Sequence, residues 1–109
     1  MLLAFKIDVE PVGKGRPRFT RDGHAYTPER TRKFEAAVRA HAYEFMRRMN
    51  AQRIPEGVPI DVRVVALFPI PKSWPKKKKA EATKLIPRID VDNVLKAVLD
   101  AMNGVVFED

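Results

Sequence analysis

Two carboxylates two residues apart, Asp90 and Asp92, open the run Asp90-Val91-Asp92-Asn93-Val94-Leu95-Lys96-Ala97-Val98-Leu99-Asp100. If the apolar residues in this run mark a helix, Asp92, Lys96 and Asp100 follow one another at intervals of four and share one face. Carboxylate oxygens suit a hard divalent cation, and a nearby ammonium suits a phosphate or the charge developing on one. The same residues also permit a plainer account. An aspartate at a helix N-terminus is stabilised by the helix dipole, and an Asp92–Lys96 pair at this spacing contributes only about 0.3–0.5 kcal/mol. On the residues alone both accounts stand.

Two basic stretches could serve an anionic partner of such a site. Pro11-Val12-Gly13-Lys14-Gly15-Arg16-Pro17-Arg18 interleaves Lys14, Arg16 and Arg18 with glycines that let backbone N–H groups come close to an anion. It lacks the spacing of a nucleotide-binding loop, so a solvated basic turn is the alternative. Further on, Lys72-Ser73-Trp74-Pro75 leads into Lys76, Lys77, Lys78 and Lys79. There Trp74 offers a stacking surface beside a cationic arm, a combination suited to unpaired or distorted nucleic acid. A lone tryptophan in a small domain also serves as a packing residue.

Composition narrows the choice of partner. Lys and Arg number 21 against 14 Asp and Glu, a formal charge of +7, which favours a polyanion. The absence of cysteine excludes thiolate-bound zinc and disulfides, two isolated histidines argue against a histidine-rich metal site, and the expectation is a metal held by oxygen. No apolar run reaches the roughly 20 residues needed to span a bilayer, and charges follow Met1 too soon for a signal peptide. A soluble, cytoplasmic protein with no membrane partner is expected. At 109 residues the chain fits a single domain.

The elements that must position these residues are legible in outline. Phe5, Ile7 and Val9 alternate with charges as in a strand, and Arg18 to Tyr26 reads as a hairpin turning on Asp22-Gly23. Thr27-Pro28 reads as a helix start, threonine capping and proline at the first helical position. Phe34, Val38, His41 or Ala42, Phe45 and Met49 then trace the apolar stripe of a long helix, in which His41 is a hydrogen-bonded structural histidine rather than a ligand. Ile60 to Phe68 reads as the central strand, ended by Pro69-Ile70-Pro71, with a short helix possible over Ala80 to Lys84. Val94, Leu95, Val98, Leu99 and Met102 give a second helix that stops at Asn103-Gly104, and Val105-Val106-Phe107 begins a strand. The expectation is an α+β fold: one domain, 1–109, with a mixed, mainly antiparallel sheet packed against two main helices.

The stretch from Asp90 to Asp109 resembles the signature of RusA-type Holliday junction resolvases: paired acids, Asn93 and Lys96, a helix ending Asp100-Ala101-Met102-Asn103-Gly104, then acids on the next strand. Gly13 to Arg18 and Pro69 to Trp74 are similar to further segments of that family, so the resemblance covers nearly the whole chain. It implies a homodimeric, Mg2+-dependent endodeoxyribonuclease that nicks opposed strands of a four-way junction or other branched DNA. The matching catalytic positions are Asp90, Asp92, Lys96 and Asp109, with Asp90, Asp92 and Asp109 as metal ligands. Asn93, Asp100 and Glu108 take secondary places, orienting Lys96, an acid or a water. Ile89 stands where many relatives have proline, and Glu108 where aspartate is usual. Relatives continue past the final acid with a further strand, so the domain over 1–109 is expected to lack its C-terminal strand. The competing readings are a nuclease for flaps or other branched DNA, and a nucleic-acid-binding module without catalysis in which Asp90 and Asp92 only cap a helix.

Overall fold

The computed structural model describes residues 2–68, 73, 75–77 and 91–109, Val91 by its backbone only. Asp90, Lys72, Trp74, Lys78 and Lys79 lie outside the described residues, as do Pro69 to Pro71, expected to end the central strand, and the expected short helix. The elements run β1 (Arg18–Phe19), β2 (Ala25–Tyr26), α1 (Glu29–Arg48) and α2 (Val91–Met102). Two helices with a two-stranded antiparallel sheet make an α+β domain.

The core lies between the helices. Phe34, Val38, Ala42, Phe45 and Met46 of α1 meet Ala97, Val98, Ala101 and Met102 of α2, with Val106 and Phe107 closing one end. Ala42, Ala97 and Ala101 are fully buried, and their small side chains let the helix backbones approach closely. The stripe ends on Met46 rather than the expected Met49, which is 58% exposed. The reason is that α1 stops at Arg48 and Met49 is its C-cap. Asn50 then turns left-handed (φ 50°), its N–H reaching the Arg47 carbonyl (3.1 Å) while that of Ala51 reaches Met46 (2.9 Å). These two bonds form a Schellman closure with asparagine at the position glycine usually fills.

The start of α1 is shifted by one residue from expectation. Pro28 is the N-cap residue, its carbonyl accepting from the Arg32 N–H (3.0 Å), and no side chain caps the helix, so Thr27 does not. The hairpin also turns differently. Thr20 N–H donates to the His24 carbonyl (2.9 Å) around a three-residue loop, and of Asp22 and Gly23 only the glycine has positive φ (82°). A two-residue Asp-Gly turn needs positive φ at both positions, whereas a type I turn closed by one left-handed glycine needs it once.

The segments expected as strands at 5–9 and 60–68 join no ladder among the described residues. In the first segment the alternation survives as alternating exposure, with Leu3, Phe5 and Ile7 packed against the core and the ring of Phe5 stacked on Phe45 at 4.9 Å; in the second only Val62 packs there, and Ile60, Val64, Val65 and Leu67, expected in a buried central strand, are exposed. After α2, Gly104 (φ 85°) makes the expected stop. Instead of a strand, the chain forms a parallel bridge between Phe107 and Ile54, with Ile54 N–H donating to Val106 (2.9 Å) and Glu108 N–H donating to Ile54 (2.8 Å).

Candidate active site and its basic border

Asp92 lies in the first turn of α2, where an acid is favoured by the helix N-terminus, and its Oδ2 is 3.1 Å from Lys96 Nζ one turn on. Both side chains are well exposed, at 65% and 59%, so the pair sits where a solvent-borne ligand reaches it. Local helix geometry alone brings these two together.

Asp100, on the same face one turn further, is not the partner of Lys96. Its Oδ2 is 2.5 Å from Lys14 Nζ, and the same ammonium lies 3.0 Å from Glu35 Oε1 of α1. The hydrogen bonds to Asp100 and then to Glu35 hold the Lys14 pKa above the ordinary lysine value, against a smaller opposing effect of burial. The backbone joins in. Lys14 N–H donates to the Asn93 carbonyl (3.0 Å), and Gly13 approaches so closely that a Cβ there would lie 3.5 Å from Asn93 Cβ. Next door, Gly15 N–H donates to Thr31 Oγ1 (3.0 Å), which is buried. A Cβ on Gly15 would stand 2.9 Å from Pro28 Cγ, so this position has no room for a side chain. The glycines thus seat the basic loop against both helices.

Further ties fix the far end of α2. Arg39 of α1 donates from Nε to the Ala101 carbonyl (3.1 Å), satisfying a carbonyl that the helix end leaves free. Arg53 donates to the Gly104 carbonyl (2.8 Å) and pairs with Glu108 (3.1 Å). Asp109 is exposed, and its N–H donates to Asn103 Oδ1 (3.2 Å). Asn103 follows the last residue of α2 and Asp92 lies in its first turn, so about 15 Å of helix separates the two acids' surroundings. Among the described residues no three His, Asp or Glu side chains stand together as a metal site. The donors suit a hard cation in kind, being oxygens, but Asp92 and Asp109 are not gathered, and Asp90 is outside the described residues.

Of the expected DNA contacts that are described, Arg16, Arg18, Lys76 and Lys77 are exposed, while Lys14 is committed to its two carboxylates. His41 is structural as expected, its Nδ1–H donating to the Ala37 carbonyl (2.7 Å). Sequence reasoning passed over Phe19 and Tyr26, aromatics 69% and 47% exposed on the hairpin, and over Arg30 in the first turn of α1. Short alternating strands are normally read as half buried, and only the lack of apolar neighbours around Arg18 and Arg21 signalled otherwise.

No helix among the described residues is long and apolar enough to cross a membrane. No solved structure matches the chain. YqaN of Bacillus subtilis (strain 168), an uncharacterized protein, is 33% identical over 119 aligned residues, covering 98% of this chain and 78% of YqaN. The family model described as endodeoxyribonuclease RusA matches residues 8–109, spanning the seated basic loop, both helices and Asp109. A match of that extent, with the acid and lysine held together at the start of α2, establishes that the chain belongs to the RusA family of endodeoxyribonucleases.

Proposed function

We propose that this protein is a homodimeric, Mg2+-dependent nuclease that resolves Holliday junctions by paired nicks during DNA recombination and repair. The observation carrying the proposal is the Asp92–Lys96 pair, exposed at the entry of α2 within a family match that covers nearly the whole chain. In this reading Asp90 and Asp92 would supply carboxylate oxygens to a metal whose hard-cation chemistry suits hydrolysis of a phosphodiester, and Asp109 would complete the set only if the segment after Gly104 carried it to the start of α2. Lys96 meets the scissile phosphate and stabilises charge developing there; Asp92, 3.1 Å away, sets the direction of the ammonium. Asn93 stays with the acids through its place in the first turn of α2. Asp100 acts through Lys14, holding the basic loop against α2, and Glu108 acts through Arg53. Lys72, Trp74 and Lys76 to Lys79 form the outer DNA contacts. A two-fold dimer offers one site to each of two symmetry-related strands.

The test is cleavage of a four-way junction, a flap and a linear duplex at one salt concentration, with Mg2+ or with a chelator. Paired nicks in the junction, dependent on Mg2+, are expected. Asp92→Asn should lower cleavage by about a hundredfold or more while leaving junction affinity intact. If Asp92→Asn cuts as well as the wild type, the acids only cap the helix and the protein is a binding module. Preferred cutting of the flap would move the reading to another branched substrate. Sedimentation velocity checks the dimer.

A further inference from the structure

The described cations divide by what holds them. Lys14, Lys33, Arg39, Arg47, Arg53, Arg63 and Lys96 are spoken for by carboxylates or carbonyls. Lys6, Arg16, Arg18, Arg21, Arg30, Arg32, Arg48, Lys76 and Lys77 carry no ion pair or side-chain hydrogen bond among the described residues, and of these Arg16, Arg18 and Arg30 line one open cleft of about 470 Å3. That volume falls within the range of roughly 300–1,000 Å3 usual for ligand pockets. The rest of its wall includes Gly13, Gly15 and Thr31, and no acid among the described residues lines it. Glu29, the acid nearest in sequence, is turned to Lys33 at 3.2 Å. Three arginines at one hollow, with no carboxylate paired to them among the described residues, raise the local positive potential, and an anion in the hollow lowers it.

We infer that the cleft between the glycine loop and the start of α1 is a binding site for a single non-scissile backbone phosphate of DNA, gripped jointly by Arg16, Arg18 and Arg30. The inference rests on the nuclease reading and deepens it. Guanidinium groups match phosphate oxygens in pairs, which a lysine cannot do, and all three cations here are arginines. The packing of Gly15 on Pro28 and Thr31 fixes the loop arginines relative to Arg30, so the site is built before DNA arrives. Lys14 ties the same loop to Asn93 and Asp100 of α2, so a phosphate held in the cleft is held in register with Asp92 and Lys96.

The experiment measures junction affinity of the full chain without Mg2+ over a series of salt concentrations. It compares wild type, Arg30→Gln, Arg16→Gln, the double variant, Arg30→Lys and, as control, Arg48→Gln at the far end of α1. Arg30→Gln and Arg16→Gln should each weaken binding about fivefold, and the double variant should lower the slope of log affinity against log salt by about one, not two. Its loss of affinity should be smaller than the product of the single losses, because both arginines serve one phosphate. Arg30→Lys should keep most of the salt slope while losing affinity, and Arg48→Gln should change neither. Independent losses with a slope change of about two would overturn the shared site, as would an Arg48→Gln effect equal to that of Arg30→Gln. Cleavage by the wild type, measured alongside, separates the two claims. The coupled pattern without cleavage leaves the phosphate site standing and removes the nuclease reading, whereas cleavage with unaltered binding by Arg30→Gln does the reverse. A wild type that binds no junction overturns both.

Discussion

Lys14 changes character between sequence and structure. In the sequence it is one cation in a basic turn; in the fold its ammonium joins Glu35, 21 residues on, to Asp100, 86 residues on. Because the folded protein favours the charged form, its contribution to stability is complete below the unfolded lysine value of about 10.4 and is lost as pH rises through the higher folded value. Lys14→Met should therefore cost up to about 1 kcal/mol at neutral pH, given the partial exposure of all three groups. It should also flatten the fall in denaturant midpoint between about pH 9 and about pH 12 that the wild type shows. An unchanged alkaline profile would mean that the tie contributes nothing. The Asp92–Lys96 pair was legible beforehand because helix spacing alone creates it. Lys14's partners were not, since no local rule specifies a contact across such separations.

Among the elements, both helices were readable because apolar periodicity sustained over several turns fits a helix and little else. Their ends were less so. At Pro28 the helix begins one residue late, and at Asn50 a left-handed asparagine closes it where the sequence shows no glycine. The short strands were hardest to place: alternation at 5–9 and 60–68 foretold that Phe5, Ile7 and Val62 face the core, but not that Val9, Val64, Val65 and Leu67 would be exposed nor whether a neighbouring backbone would pair with them. The interhelical contact carries the fold, so its disruption should be felt globally. Phe45 is 7% exposed and stacks on Phe5. Phe45→Ala is expected to remove about 3–5 kcal/mol, read as a lower midpoint in urea, a large part of the stability of a domain this size. A loss below about 1 kcal/mol would show that the cluster is loosely packed.

At the scale of the molecule, part of the charge is committed to the fold. Lys14, Arg39 and Arg53 tie loops and a helix end together, while Arg16, Arg18 and Arg30 stand at one cleft and Lys76 and Lys77 are exposed. The family match spans this whole arrangement, but Asp109 is the member of the proposed acid set that the fold sets apart, beside Asn103 at the opposite end of α2 from Asp92. If Asp109 is the third acid, Asp109→Asn should reduce cleavage about a hundredfold, in line with Asp92→Asn. Full activity in Asp109→Asn would remove it from the set and leave the work to the acids at the start of α2.

The seating of the basic loop has a thermodynamic consequence. Its backbone is fixed by Lys14 to Asn93 and by Gly15 to Thr31, bonds that exist without DNA. Ordering a residue costs about 1–2 kcal/mol of conformational entropy, and here that cost falls on folding rather than on the encounter with substrate. A loop ordered in advance gives up little backbone freedom on binding, so more of the energy of its arginines' contacts with DNA is left as affinity.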